Sequence, residues 1–209
     1  MGIHAFFRSF NDLERIERAP GKFKYESHNV AAHSWKVSQY VQFLATVEEQ
    51  NGTMINWKKL YEKTTNHDYS EIFIGDIKTP VKYASPELRA MLQHVEEQMT
   101  KKFIDKNIPE EFKAIFHERL GEGKDDSIEG QILAVADKLD QIYEAFAELQ
   151  KGNTEKEFVR MYRDALRAIK DINLKCVEYF LNEILPDMIE EEMMSSVDIK
   201  QITEEALAR

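Results

Sequence analysis

Apolar residues recur along this chain at helical spacing. His33, Val37, Val41 and Leu44 fall on one stripe, and Leu60, Thr64, His67, Asp68 and Glu71 fall on another, which is the three-to-four-residue recurrence of a helix that buries one face. Short polar breaks between such segments predict helices over about 9–18, 30–49, 55–74, 86–105, 109–119, 126–150, 155–191 and 197–207. The run Ile132, Leu133, Ala134, Val135, Ala136 is apolar all round and predicts a helix buried locally on every side, ending its run in Asp137. Strand signal is thin, because IFIGDI at 72–77 is short and runs into the turn pair Thr79-Pro80. The segment GEGKDD at 121–126 lacks the GxxxxGK[ST] spacing and follows no strand, so it reads as a helix–helix loop and not as a phosphate loop. The expected fold class is all-α.

Composition agrees. Eight glycines and five prolines are few for 209 residues, and both are excluded from helix interiors. A single domain spanning 1–209 buries roughly 70% of its unfolded surface, so its core needs neither disulfide nor structural metal. No repeat or low-complexity tract interrupts it, and the acidic cluster Glu190, Glu191, Glu192 reads as a solvated helix face. The net charge of −10 argues against a nucleic-acid polymer or an anionic membrane surface as partner. No apolar stretch approaches the roughly 18 residues of a membrane span. The start MGIHAFFRSF runs into acidic NDLERIE instead of an apolar segment with a cleavage site, and Phe6 stands where a myristoylation motif at Gly2 wants Ser or Thr. With one cysteine, Cys176, no internal disulfide can form, and a cytoplasmic location is expected.

The stripes also carry chemistry. His33 points inward from the first turn of its helix, His67, Asp68 and Glu71 form the polar end of the next stripe, and Asp137 closes an apolar run. Charge in such places is costly unless it is paired, protonated or bound to a metal. Each residue taken alone has an ordinary explanation: an inward histidine is most often a satisfied core residue, and Glu71 stands at i, i+4 from His67 as a helix-surface partner would. Together, two imidazoles and two carboxylates on three packed helices match the neutral nitrogen and anionic oxygen that a divalent ion takes, with positions left for water and substrate oxygen. Such an ion lowers the pKa of water, and a carboxylate within reach can orient that water or accept its proton.

His33, His67-Asp68 and Asp137 resemble the H…HD…D ligand set of the HD-domain metal-dependent phosphohydrolases. HNVAAHSWKV at 28–37, HDYSEIFIGDIKTPVKY at 67–83, ADKL at 136–139 and ELQKGN at 148–153 are similar to the bacterial 5′-deoxynucleotidase branch, over nearly the whole chain from about Arg18 to near Glu191. HD alone is a sparse motif, whereas HDxSE followed by GDxxTPVKY is specific. The resemblance implies an HD-type helical bundle, usually a homodimer, that holds one divalent metal and removes phosphate from nucleoside 5′-monophosphates. It implies His33, His67, Asp68 and Asp137 as metal ligands, Glu71 and Asp76 as the acidic groups acting on water and substrate, and Arg18 as a residue that meets the nucleotide. Lys82, in TPVKY, is the second candidate for the phosphate, because a chain of net charge −10 needs local positive charge to hold an anion. The mixed nitrogen and oxygen set favours Mn²⁺, Co²⁺ or a similar transition ion over Ca²⁺, with Mg²⁺ and Zn²⁺ left open.

Two positions depart from the pattern. Ala19 stands where the family carries a Trp that crowds the sugar, so the choice between deoxyribose and ribose is open, with Phe23 and Tyr25 as aromatics that would refill the space by swinging in. Ala32 stands where a Glu commonly precedes the first ligand, removing an acceptor for a neighbouring group. Two other readings remain: an HD-type pyrophosphohydrolase or phosphodiesterase for larger nucleotides, and a non-catalytic module that binds nucleotide and metal. Retention of both Glu71 and Asp76 opposes the second, since binding alone does not need both acids.

Overall fold

The computed structural model describes residues 2–82, 84–121 and 123–208. Tyr83 and the side chain of Thr79, both in the TPVKY motif, lie outside the described residues. The chain folds into α1 (Ile3–Arg15), α2 (Val30–Gln50), α3 (Trp57–Asn66), α4 (Glu71–Ile74), α5 (Thr79–Lys82), α6 (Pro86–Asn107), α7 (Glu110–Gly121), α8 (Ile128–Gln150), α9 (Lys156–Lys170), α10 (Lys175–Tyr179), a π-helical turn (Phe180–Ile184), α11 (Leu185–Ile189) and α12 (Ile199–Leu207). No strand forms among the described residues, and the only β feature is an isolated antiparallel bridge between Glu17 and Asn29. The fold is all-α. No helix among the described residues is long and apolar enough to cross a membrane.

Helix α8 is the central element, as its apolar run predicts: Ile132, Leu133, Val135, Ala136, Ile142, Ala145 and Leu149 are fully buried. Ser127 caps it by accepting from the Gly130 amide at 3.1 Å, and Asn29 caps α2 by accepting from Ala32 N at 2.8 Å. Helices α2, α3 and α9 pack on α8, and α12 packs on α9. A smaller core of Phe6, Tyr69, Ile104, Ile108 and Leu120 joins α1, the turn after α3, α6 and α7. His33 and Asp137 stand on α2 and α8 of the first core, and His67-Asp68 directly precede Tyr69 of the second.

Three helix boundaries differ from expectation. The first helix begins at Ile3 and stops at Arg15, because Phe6 packs edge-on against Phe10 and Phe116 and extends the apolar face upstream. Arg18 therefore lies past the helix, in a segment tied back by Arg18 N to His28 O at 2.9 Å and Val30 N to Ile16 O at 3.0 Å. The expected helix over 55–74 breaks at His67. There the bonds Tyr69 N to Asn66 O and Glu71 N to Asp68 O, at 3.0 and 3.1 Å, tighten the chain into i→i−3 turns before α4. The long helix expected over 155–191 is interrupted at Asp171–Leu174, and its second half takes a π-helical turn just before Pro186, whose missing N–H cannot continue the regular ladder.

Candidate metal centre and cleft

Two imidazoles define the centre. His33, buried in the first turn of α2, donates from Nδ1 to Asp140 Oδ2 at 2.6 Å, and His67, just past α3, donates from Nδ1 to the Thr64 carbonyl at 2.7 Å. With both Nδ1 positions committed as donors, both Nε2 atoms carry lone pairs, and these face each other at 3.2 Å. Asp68 Oδ2 lies 3.2 Å from His33 Nε2 and 3.3 Å from His67 Nε2. Asp137 Oδ1 lies 3.2 Å from His33 Nε2. The ligand atoms of His33, His67 and Asp68 all fall within 4.8 Å of one another. Acceptors converging this closely repel unless a cation or a proton sits among them, and the set of two imidazole nitrogens and two carboxylate oxygens fits a divalent transition ion.

The electrostatics carry the same demand. Burial and the neighbouring Arg18 would lower the His33 ring, yet hydrogen bonds to Asp137, Asp140 and Asp68 push it up to about 10. Burial works to raise both ligand carboxyls, but His67 and His33 hold Asp68 well below the usual carboxylate range, and Lys124 and His33 do the same for Asp137. Asp68 and Asp137 thus stay ionised inside the protein, and the His33 ring beside them is drawn toward positive charge.

Sequence reasoning missed two of these participants. Asp140 follows Asp137 by one turn of α8, and that spacing is its only signal. It supplies the acceptor that fixes the His33 tautomer, while Ala32, where the lost acceptor was expected, is exposed. Lys124 belongs to the GEGKDD loop, and its Nζ donates to Asp137 Oδ2 at 2.6 Å.

The remaining acids and cations surround the cluster. Glu71 opens α4 with Oε2 buried and lacking a hydrogen-bond partner, and burial, reinforced by Asp68 and Asp76, pushes its carboxyl up to about 9. Gly75, at φ +73°, ends α4 with a conformation that favours glycine, and the next residue, Asp76, accepts from the Ala19 amide through Oδ2 at 3.0 Å. Ala19 itself takes the left-handed φ of +46°. Arg18 is buried between Glu144 Oε2, 3.4 Å from its Nε, and Asp68 Oδ2, 3.9 Å from its Nη1. Lys82 pairs with Glu96 of α6 at 3.3 Å.

Arg18, Glu71, Asp76, Lys82 and Lys124 line a cleft of about 420 Å³ that reaches Asp68 and Asp137 and continues along α8 and α9 past Met161 and Ala165. Ala19 is in its wall, and Phe23 and Tyr25 are not. Those two rings are exposed and stacked edge-on against each other at 5.0 Å. Their backbone is held away by Glu148, which accepts from Tyr25 N and Glu26 N at 3.0 Å each, and by Asn153, which donates to Phe23 O. The space beside Ala19 stays open.

Comparison with known proteins places these features in a family. Residues 5–188 match the family described as 5′-deoxynucleotidase YfbR-like. A 5′-deoxynucleotidase of Vibrio vulnificus is 29% identical over 182 residues, covering 87% of this chain and 92% of that protein. The crystal structure of an HD-domain phosphohydrolase from Listeria innocua superposes with a TM-score of 0.94 at 54% identity, over 100% of this chain and 99% of that one. The HD phosphohydrolase DatZ of cyanophage S-2L, described as bound to dA and one catalytic Zn²⁺ ion, shares the fold at a TM-score of 0.61 and 18% identity, over 87% and 95% of the two chains.

Proposed function

Since this chain belongs to the YfbR-like 5′-deoxynucleotidase family, we propose that it is a metal-dependent phosphomonoesterase, working as one domain, that releases phosphate from (deoxy)nucleoside 5′-monophosphates. The observation that carries this reading is the pair of facing Nε2 atoms of His33 and His67, closed by Asp68 and Asp137 at the inner end of the cleft. These four residues would hold the ion. Bound there, it supplies a Lewis acid for the phosphoryl group and acidifies the attacking water. Mn²⁺ or Co²⁺ suits the mixed ligands, and Zn²⁺ is the ion of the cyanophage relative.

The chain's own groups do the rest. Glu71, partnerless and close to the cluster, orients the attacking water and, once the charge of a bound ion holds its carboxyl ionised, takes the water's proton. Asp76, fixed beside the Ala19 amide in the cleft wall, touches the sugar or delivers a proton to the departing alkoxide. Arg18 pairs with Asp68 and adds positive charge to the cleft, and Lys82 in the same lining adds more. Lys124 neutralises the second oxygen of Asp137. A cytoplasmic homodimer accords with the single cysteine and with the resemblance, and the exposed rings of Phe43 and Tyr179, 5.5 Å apart, with Trp35 nearer the start of α2, offer apolar surface for a second copy.

A screen of metals against substrates tests the reading on the purified protein. Phosphate release from nucleoside 5′-monophosphates should require a divalent transition ion and disappear with chelator. Faster cleavage of a pyrophosphate or a diester, or binding without turnover, would replace this reading with one of the two alternatives.

A further inference from the structure

The cleft contains two kinds of cation. Arg18, Lys22, Lys82, Lys124 and Arg160 each reach a carboxylate, on Glu144, Glu155, Glu96, Asp137 and Glu157 in turn. Lys138 does not. It follows Asp137 on α8, lines the same cleft half-buried, and donates from Nζ to the neutral amide oxygen of Gln141 at 3.0 Å. Among the described residues no carboxylate lies within 4.0 Å of it, and its charged surroundings are Asp137, Asp164, Lys124 and Arg18. Lys78, on the loop before α5, shares that lack, but it stands in a connecting segment and not on the helix that carries Asp137.

An ammonium has three donors and here uses one. A half-buried ammonium that touches no carboxylate is only partly compensated by Asp137 and Asp164 at longer range, although the chain as a whole carries ten surplus negative charges. The amide of Gln141 holds the side chain in place without neutralising it. The missing negative charge is then supplied by what enters the cleft.

We propose that Lys138 binds the substrate's phosphate: its ammonium donates to a non-bridging oxygen of a dianionic phosphate monoester lodged against the His33, His67, Asp68 and Asp137 cluster, with Gln141 as its positioning residue. The assignment rests on the phosphatase reading above and narrows it. A fixed positive charge at that point favours a phosphoryl group of charge −2 over the single charge of a diester, so monoesters are the substrate class.

Calorimetry on the metal-loaded protein, with inorganic phosphate and 2′-deoxyadenosine as separate probes, decides the matter. Lys138→Met should weaken phosphate binding by about tenfold or more, as loss of a charge-assisted hydrogen bond does. Lys138→Arg should keep most of the affinity, and both variants should bind 2′-deoxyadenosine and metal as the parent does. Phosphate affinity within about twofold of the parent in Lys138→Met would overturn the assignment, as would an equal loss for the nucleoside or loss of the metal. Because the readout is binding, the two readings fail separately. A protein that binds phosphate through Lys138 yet hydrolyses no nucleotide refutes the phosphatase reading and leaves this one standing.

Discussion

His33 Nδ1 donates to Asp140 Oδ2 at 2.6 Å, so a carboxylate one helical turn beyond Asp137 decides which nitrogen of the imidazole is free to bind. Such an acceptor orients the ring and raises its basicity. Asp140→Asn should therefore weaken metal binding by about 10- to 100-fold while the far-ultraviolet circular dichroism stays unchanged. Chelator competition measures the affinity, and an unaltered dissociation constant would remove Asp140 from the ion's support.

Glu71 separates chemistry from binding. Glu71→Gln should retain stoichiometric metal by elemental analysis and lose about 10²- to 10⁴-fold in kcat, the usual contribution of a positioned general base. Near-normal turnover would defeat the assignment, and loss of the ion together with activity would make Glu71 a ligand.

The metal-stripped protein should lose stability as pH rises. Two groups are raised in the folded state, Glu71 from 4.5 to about 9 and His33 from 6.5 to about 10. A raised group stabilises the fold fully below its unfolded value, and that stability is lost as pH climbs through the folded value. The Tm of the stripped protein should thus fall between about pH 6.5 and 9, where the unfolded chain has released both protons and the folded chain still binds them. The lowered carboxyls of Asp68 and Asp137 act in the opposite sense, but only in acid, below their ordinary 3.8. Saturating Mn²⁺ should abolish the alkaline fall, because the ion replaces the protons. Parallel melting curves with and without Mn²⁺ across this range check it.

The open wall beside Ala19 has a kinetic consequence. With Phe23 and Tyr25 pinned outside the cleft, no aromatic rejects a 2′-hydroxyl there by overlap. Comparable kcat/KM is expected for a nucleoside 5′-monophosphate and its 2′-deoxy counterpart. Ala19→Trp should depress the ribonucleotide rate selectively, and because Ala19 already carries a Cβ at φ +46° the exchange adds no new backbone penalty. A strong deoxynucleotide preference in the parent protein, abolished by Phe23→Ala, would show the wall relocated.

Much of this was legible in the chain because helical periodicity is a local property. The apolar run at 132–136 gives α8, and the stripe through His33 gives the buried face of α2. The elements that escaped depend on partners distant in sequence. Nothing local marks the break at His67, since Tyr69 turns away to join Phe6 and Phe103 in the second core. Lys124 reads as an ordinary loop lysine until the fold sets it beside Asp137. Asp140 had a local signal in its spacing from Asp137, but only His33, 107 positions away, gives that spacing a meaning.

Four acids stand along one side of α8, and each has a separate client. Asp137 serves the ligand cluster, Asp140 holds His33, Glu144 holds Arg18, and Glu148 grips the amides of Tyr25 and Glu26. Their intervals of three, four and four residues keep them in rotational phase over about 16 Å of helix. That makes α8 a cam: a single residue inserted or deleted ahead of Asp140 would turn every later acid by about 100° and disengage three clients at once, whereas the same change in the loop after Glu148 would disturb none of them. The length of this one helical stretch is therefore fixed more tightly than the identity of most residues in it.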